Sequence, residues 1–580
     1  MRAHALRASP GAHADAAARD SPPRLGCYAP DARCDEKRRL PMHRPTKMQE
    51  KERKRRETEA EPQTFDALVE AAMESEEKGD RYKDGEKARR FYEAACEAYL
   101  KASSLKQNDA ACEYNLGRLL LLLAEFKAPA YSASQRRSLL KDSVSRLRGA
   151  VQLDEFKNAE SLFNLAQALR ARFEDALDDG NAGESSFQEL VEADRALEAV
   201  LAIQVAELTR TREIASREGE CEPGCTDYPH SHSHQHHEED NEDTGMDEST
   251  DDAEADYELA TEATPVTNET IIETLVAHAS LLTLAATSLS NISPPESDTA
   301  FHRAAAKLDA TQPHWLPTTI EPADVSLARA NLLTSRAEAI FETSPKTEAA
   351  SAPWRALFEE ASVLYDAILT SHPACAEAPA DKGDMLTTYA DCLLTCTIGS
   401  PGAPGFETLA ARVAQETSAG GSSSQTQELP ATSLLVALRQ MLAAAASAYK
   451  TAHQIEPSKA SVSARLGDLE ATRTNLYTQD PKTQQVLLAN AATHYNRALA
   501  TLGVNMSLLS TQKGTADDEA ARSALLGLAK VCSHFDGRGA ECKSALVCWK
   551  RRGGDMGDSE SAIYFHEKVF GEEWFGKLMG

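Results

Sequence analysis

Two cysteines, Cys221 and Cys225, are followed closely by five histidines, His230, His232, His234, His236 and His237. Thiolate and imidazole are the ligands that zinc, copper and nickel prefer, so this tract is the chain's one candidate for metal chemistry. Its ligands are crowded into a stretch that also holds Pro and Gly, with no second pair at a distance to close a site. The competing reading is a low-complexity tract with only weak affinity for metal. Cys392 and Cys396 lie one helical turn apart, and Cys532, His534, Cys542 and Cys548 are near one another in sequence. Buried cysteine usually acts as a small core hydrophobe, and both sets are read as structural. His566-Glu567 begins like a zinc-protease helix, but Phe570 stands where the second histidine would be needed.

Other catalytic signatures are missing. The sequence has no Gly-rich loop ending in Gly-Lys-Ser or Gly-Lys-Thr, no Gly-x-Ser-x-Gly elbow and no paired Cys-x-x-Cys knuckles. The reading is therefore of a non-enzymatic chain that needs no cofactor.

The elements that would carry these residues are helical. The 580 residues exceed what one compact core can use, which calls for several domains or an elongated repeat. Hydrophobic residues make up 42% but aromatics only 6%, and alanine is abundant, as suits helices that approach closely through small side chains. The net charge of −28 argues against broad binding to nucleic acid, which relies on Lys and Arg displacing counterions from phosphates. Much of that charge lies between Arg217 and Glu262, so the remainder is only mildly acidic. The scattered cysteines do not form the framework of a small secreted domain, and a reducing compartment is expected. Leu116 to Leu123 is broken by Gly117 and Arg118, and no unbroken apolar run reaches the length of a membrane span.

Along the chain, residues 1–60 lack apolar periodicity and are expected to be a disordered basic arm. Its run through Arg53, Lys54, Arg55 and Arg56 reads as an import signal or as a solvated tail, and the expected compartment is cytoplasm, nucleus or both. Helical patterns fill 65–214, punctuated at Gly79-Asp80, Gln107-Asn108-Asp109, Lys127-Ala-Pro129 and Asp179-Gly180-Asn181. Residues 217–264 read as a disordered loop, His-rich and then acidic. Irregular and repeat-like helices follow over 268–396, a flexible linker over 399–430, further helix pairs over 432–552, and a capping helix with an aromatic tail over 558–580.

The helix pairs recur with a fixed alternation of small and large residues. Ala445, Tyr449, Ala452 and Pro457 lead to Leu466-Gly467 in the next helix, and Ala491, Tyr495 and Ala498 lead to Leu526-Gly527. Ala361, Tyr365 and Pro373 precede Gly383, with Lys382 and Ile368 replacing the expected Leu and Ala. Nearer the start, Ala95, Tyr99 and Ala102 precede Tyr114-Asn115-Leu116-Gly117, and Phe163-Asn164-Leu165-Ala166 repeats the phrase. Small residues let two helices nest, while large ones fill the grooves between neighbours.

On these residues the chain resembles the tetratricopeptide repeat superfamily, over most of 65–552 and with expanded loops. The resemblance implies an all-α solenoid of antiparallel helix pairs, continuous or broken into two arrays near 268–342. It also implies a concave groove lined by the first (A) helices, where a peptide or partner helix binds. Superfamily members that grip acidic chaperone tails use a Lys/Asn/Arg clamp; here those positions hold Val69, Met73, Tyr114 and Arg118, with Asn115 and Asn164 the only polar matches. Chaperone co-factor activity is accordingly not expected. The groove residues are placed near Tyr114, Asn115, Arg118, Asn164 and Arg465. The function read is that of an adaptor, with an acidic loop that engages basic clients such as a ribosomal protein, a histone or an import receptor; the alternative is a metal-responsive protein working through the Cys221–His237 tract.

Overall fold

A computed structural model describes residues 64–83, 85–126, 131–219, 265–311, 315, 321–347, 351–399, 402–418, 430–504, 517–535 and 537–551. The basic arm, the Cys221–His237 tract and the residues from 552 onward lie outside the described residues. The helices are α1 Phe65–Tyr82, α2 Glu86–Leu105, α3 Ala110–Ala124, α4 Ala133–Leu153, α5 Ala159–Asp178 and α6 Glu184–Gly219. They continue with α7 Asn268–Leu289, α8 Pro294–Asp309, α9 Ala323–Thr343, α10 Ala352–Ser371, α11 Glu377–Ile398 and α12 Gly402–Ser418. They go on with α13 Ala431–Ile455, α14 Ala460–Arg473, α15 Pro481–Thr501, α16 Asp517–Cys532 and α17 Gly539–Arg551, with a 3₁₀ turn at Thr474–Tyr477.

Side chains start and stop these helices. Asp109 Oδ1 accepts the Cys112 amide at 3.0 Å and Asn158 Oδ1 the Ser161 amide at 3.0 Å, satisfying amides left free in the first turn. Ser132 and Gln135 form a reciprocal capping box, and Pro294 and Pro481 occupy first-turn positions where no donor is lost. Asn108, at φ 63°, and Gly180, at φ 69°, turn the chain between helices.

The helices pack as hairpins α1/α2, α3/α4, α5/α6, α7/α8, α9/α10, α11/α13, α14/α15 and α16/α17. Each hairpin also packs on its successor, giving a tetratricopeptide-like stack of antiparallel pairs. Region 268–342, which fits the repeat poorly in sequence, supplies the pair α7/α8 and the first member of α9/α10, and α7 packs on α6 and α9 without a break. The core passes from hairpin to hairpin, with Leu281 of α7 joining residues 121–200 and Val462, Leu466 and Leu469 joining residues 327–476. Helices α7 and α13 are long and apolar enough in composition to cross a membrane, yet here their apolar sides pack on neighbouring helices.

Three expectations are corrected. Gly79-Asp80 does not break a helix but lies in the last turn of α1, because Gly79 is buried where the Tyr92 ring needs backbone rather than a side chain. Helix α6 runs on to Gly219, past the expected end at Ile214. Residues 402–418, read as linker, form α12, which follows α11 in the chain, packs on both members of the sixth hairpin and buries Phe406 and Leu409. Pro404 falls in its first turn, where proline is tolerated, so the Gly-Ala-Pro-Gly run opens the helix instead of preventing it.

Candidate interaction face

The repeat residues place the B-helix tyrosines against the A helices. Tyr449 of α13 lies against Gly383 of α11, and Tyr495 of α15 lies against both Gly467 of α14 and Gly527 of α16. In each case the residue after the glycine anchors the hydroxyl: Tyr449 donates to Asp384, and Tyr495 donates to Asp468 at 2.6 Å. Tyr92 does the same to Asp80, next to Gly79, at 2.7 Å. In the fifth hairpin Ala330-Asn331 replaces Gly-Asp, and Tyr365 donates to Asn331 Oδ1 at 2.5 Å. Tyr99, Ala102, Leu116, Gly117, Leu165, Ala166, Ala361, Ala445, Ala452, Leu466, Ala491 and Ala498 are all buried in the packing. Pro373 and Pro457 sit outside the helices, in the turns that leave α10 and α13.

Four of the five residues assigned to the groove link one A helix to the next. Arg118 of α3 pairs with Glu76 of α1, and Arg465 of α14 pairs with Asp384 of α11. Asn164 of α5 donates to the Tyr114 hydroxyl of α3 at 3.3 Å, and that hydroxyl donates to Glu160 of α5 at 3.2 Å. Asn331 of α9 extends the series by donating to Asp381 of α11 at 3.1 Å. Asn115 is half-buried on α3 and takes no part in these links. Burial, with Glu160 adding to it, pushes the Tyr114 hydroxyl up to about 12. Desolvation opposes the charge on Arg118, but the Glu76 carboxylate outweighs it and the guanidinium pKa rises.

The electrostatics differ along this face. Between α9 and α14, Glu338, Asp381 and Asp384 share one neighbourhood, and the Asp384 charge adds to the upward shifts of both Glu338 and Asp381, which burial dominates. Arg465 is the nearby cation, and it also faces Asp468, whose carboxyl burial raises. Sequence reasoning placed Arg465 here but missed these acids, whose partners lie far along the chain.

Other chemistry-bearing groups are accounted for by packing. Asp194 and Glu198 of α6 and His278 of α7 bring potential metal-ligand atoms within 4.8 Å of one another. Arg303 grips Asp194 through two bonds of 2.9 and 3.0 Å, Lys307 meets Glu198 at 2.7 Å and His278 Nε2 lies 2.7 Å from Asp194 Oδ1. The carboxylates are thus already neutralised, and the group clamps α6 to α7 and α8. Burial pushes the Cys392 and Cys396 thiols up, and those of Cys532 and Cys542 to about 12 and about 11, away from the thiolate a nucleophile needs. A cavity of about 260 Å³ between α12, α13 and the 3₁₀ turn is lined by Phe406, Leu409, Val413, Leu435 and Leu476. Its charged member, Arg439, donates to the Leu476 carbonyl at 2.6 and 3.1 Å, and no acid–base pair lines it among the described residues.

The sequence matches no protein-family model and no curated protein. Similar solved structures include the S. pombe nuclear import adaptor Nro1, at 11% identity and TM-score 0.30 over 69% of this chain and 97% of that one. Yeast Tom70 is similar at 14% identity and TM-score 0.16, covering 87% of this chain and 93% of its own. Naa15 in complex with Naa10 and HypK is similar at 13% identity and TM-score 0.18, covering 87% of this chain and 70% of that chain. With TM-scores this low, the fold assignment rests on the helix pairs themselves.

Proposed function

We propose that the chain is a non-enzymatic adaptor of the cytoplasm or nucleus, whose A-helix face receives a basic peptide or helix from a partner protein. The observation that carries this reading is the acidic group Glu338, Asp381 and Asp384, held on successive A helices by a regular stack and countered nearby by Arg465. Repeat stacks offer extended binding surfaces of this kind instead of deep, water-free pockets. Acids that lose stability by being buried together recover it when a Lys or Arg arrives between them. The acidic tract 238–262 would add long-range attraction to the same class of partner, strongest at low salt.

The test is capture of partners by the full chain, identified by mass spectrometry, with the wild type compared against the double variant Glu338→Gln/Asp381→Asn and against a deletion of 220–264. Loss of the wild-type partners from the double variant, with its helicity and melting midpoint kept, supports the face. Capture of the same proteins by both would end the reading, and loss only on deletion would move the binding to the tract.

A further inference from the structure

Where α13 and α15 both pack on α14, four basic side chains share one neighbourhood. Lys450 and His453 stand one turn apart on α13, and His494 and Arg497 one turn apart on α15; Lys450, His453 and Arg497 all act electrostatically on His494. In a chain of net charge −28, such a cluster would be expected to hold matching carboxylates. The acid nearby is Glu470 of α14, which is buried and already shared between Arg473 at 2.8 Å and Lys450 at 3.7 Å. His453 Nδ1 lies 3.4 Å from Ser463 Oγ. His494 Nδ1 is buried without a hydrogen-bond partner, and Arg497 meets no carboxylate among the described residues. From α16, Lys530 acts on Asp468 of α14.

Basic groups gathered around an unsatisfied buried nitrogen, with Glu470 already shared between Lys450 and Arg473, are what an oxyanion would relieve. We propose that Lys450, His453, His494 and Arg497 form a binding site for a phosphoryl group, either free phosphate or one esterified to a partner's side chain. The phosphoryl group brings close to two negative charges and three acceptor oxygens, enough for Lys450, Arg497 and an imidazole at once. Burial and then the charge of Arg497 hold both imidazoles below their usual range, that of His494 at about 4. A bound anion would raise them, so binding takes up protons and tightens as pH falls.

The experiment is calorimetric titration of the full chain with inorganic sulfate, phosphate and a phosphoserine peptide. Sulfate keeps its charge between about pH 6 and pH 8, so its pH dependence reports the imidazoles alone. Sulfate affinity is expected to rise severalfold over that fall in pH in the wild type, to rise less in His494→Gln and to lose this dependence in His453→Gln/His494→Gln. Arg497→Gln, at an exposed position, is expected to weaken binding about tenfold throughout. A phosphoserine peptide binding much more tightly than phosphate identifies an esterified ligand, and equal affinities identify the free ion. No measurable binding of any of the three, equal binding by Arg497→Gln, or sulfate affinity that falls with pH would each overturn the proposal.

Discussion

Tyr495 donates its hydroxyl to Asp468 across 2.6 Å, while the same ring occupies the space a side chain at Gly467 would fill. A Cβ at Gly467 would come within 2.8 Å of Tyr495 Cε1, and one at Gly383 within 2.7 Å of Tyr449 Cε1. The tyrosine, the glycine and the following aspartate therefore act as one fastening between the two members of a hairpin.

Gly467→Ala should consequently destabilise the C-terminal hairpins by about 1–3 kcal/mol, the usual cost of forcing atoms into a filled core. Gly149→Ala is the matched control, since the nearest atom to its Cβ would be Glu113 Oε2 at 3.9 Å, in ordinary contact. There the better helix propensity of alanine should stabilise by about 0.5–1 kcal/mol. Urea midpoints for the two variants, followed by circular dichroism, should move in opposite directions; a shift of the same sign would refute the steric account.

The spacing of Tyr449, Leu466-Gly467 and Tyr495 was readable because small and large residues alternate within one local segment. Gly79-Asp80 carries the same Gly-Asp phrase, but Gly beside Asp is also a common sign of a turn, and only Tyr92 folding back on it decides between the two. Helix α12 was signalled by Phe406, Leu409 and Val413 at helical spacing, and hidden by Gly402, Pro404 and Gly405 ahead of them. Arg118 and Arg465 were placed on the A-helix face, whereas their partners Glu76 and Asp384 lie 42 and 81 residues away. No local pattern announces a pair of that separation, so the acidic character of the face emerges only once the hairpins are stacked.

Removing the hydroxyl in Tyr495→Phe takes its hydrogen-bond donor from Asp468, an exposed residue of α14, at a cost of about 1 kcal/mol. Asp468→Asn should behave differently, because the amide oxygen still accepts from Tyr495 and the carboxylate charge is gone. Burial raises the Asp468 carboxyl above its ordinary value of 3.8. The native state therefore holds its proton more tightly than the unfolded chain does, and the penalty for its charge is absent below pH 3.8 and grows as pH rises through the folded value. Asp468→Asn should match or exceed wild-type stability at pH 7, and that gain should vanish below about pH 4. A gain that stays constant with pH would rule out the charge as its source.

The Arg465–Asp384 pair is 47% and 42% exposed, which limits its contribution to under about 1 kcal/mol. Its effect on binding should be larger, since Arg465 offsets the charge of Asp381 and Asp384 on the proposed partner face. Arg465→Ala is expected to leave the melting midpoint nearly unchanged and to strengthen capture of an oligolysine peptide severalfold at low salt, an advantage that shrinks at high salt. Asp384→Asn should do the reverse. Fluorescence anisotropy of the labelled peptide distinguishes these outcomes, and two variants with indistinguishable affinities would remove the electrostatic basis of the face.

The clamp at Asp194 supplies a pH dependence of opposite sign to that of Asp468. Burial alone would raise this carboxyl, but hydrogen bonds from His278 and Arg303, with the Arg303 charge behind them, bring it down to about 2. Lowering it from 3.8 to about 2 corresponds to about 2 kcal/mol of stability. That contribution is fully present above pH 3.8 and is lost as pH falls through about 2, because the unfolded chain then binds the proton first. Since repeat stacks can open hairpin by hairpin, the readout should be local: hydrogen exchange of α6, α7 and α8 in wild type and Asp194→Asn. The variant should exchange faster in these helices at pH 6, with a protection deficit of about 2 kcal/mol, and approach the wild type as the pH is taken toward 2. His278 has no exposed side-chain surface, so a clamp that releases on acidification should loosen α7 before the distant hairpins α14/α15 and α16/α17. Equal loss of protection at both pH values would mean that side-chain shape, and not the charge on Asp194, holds the three helices together.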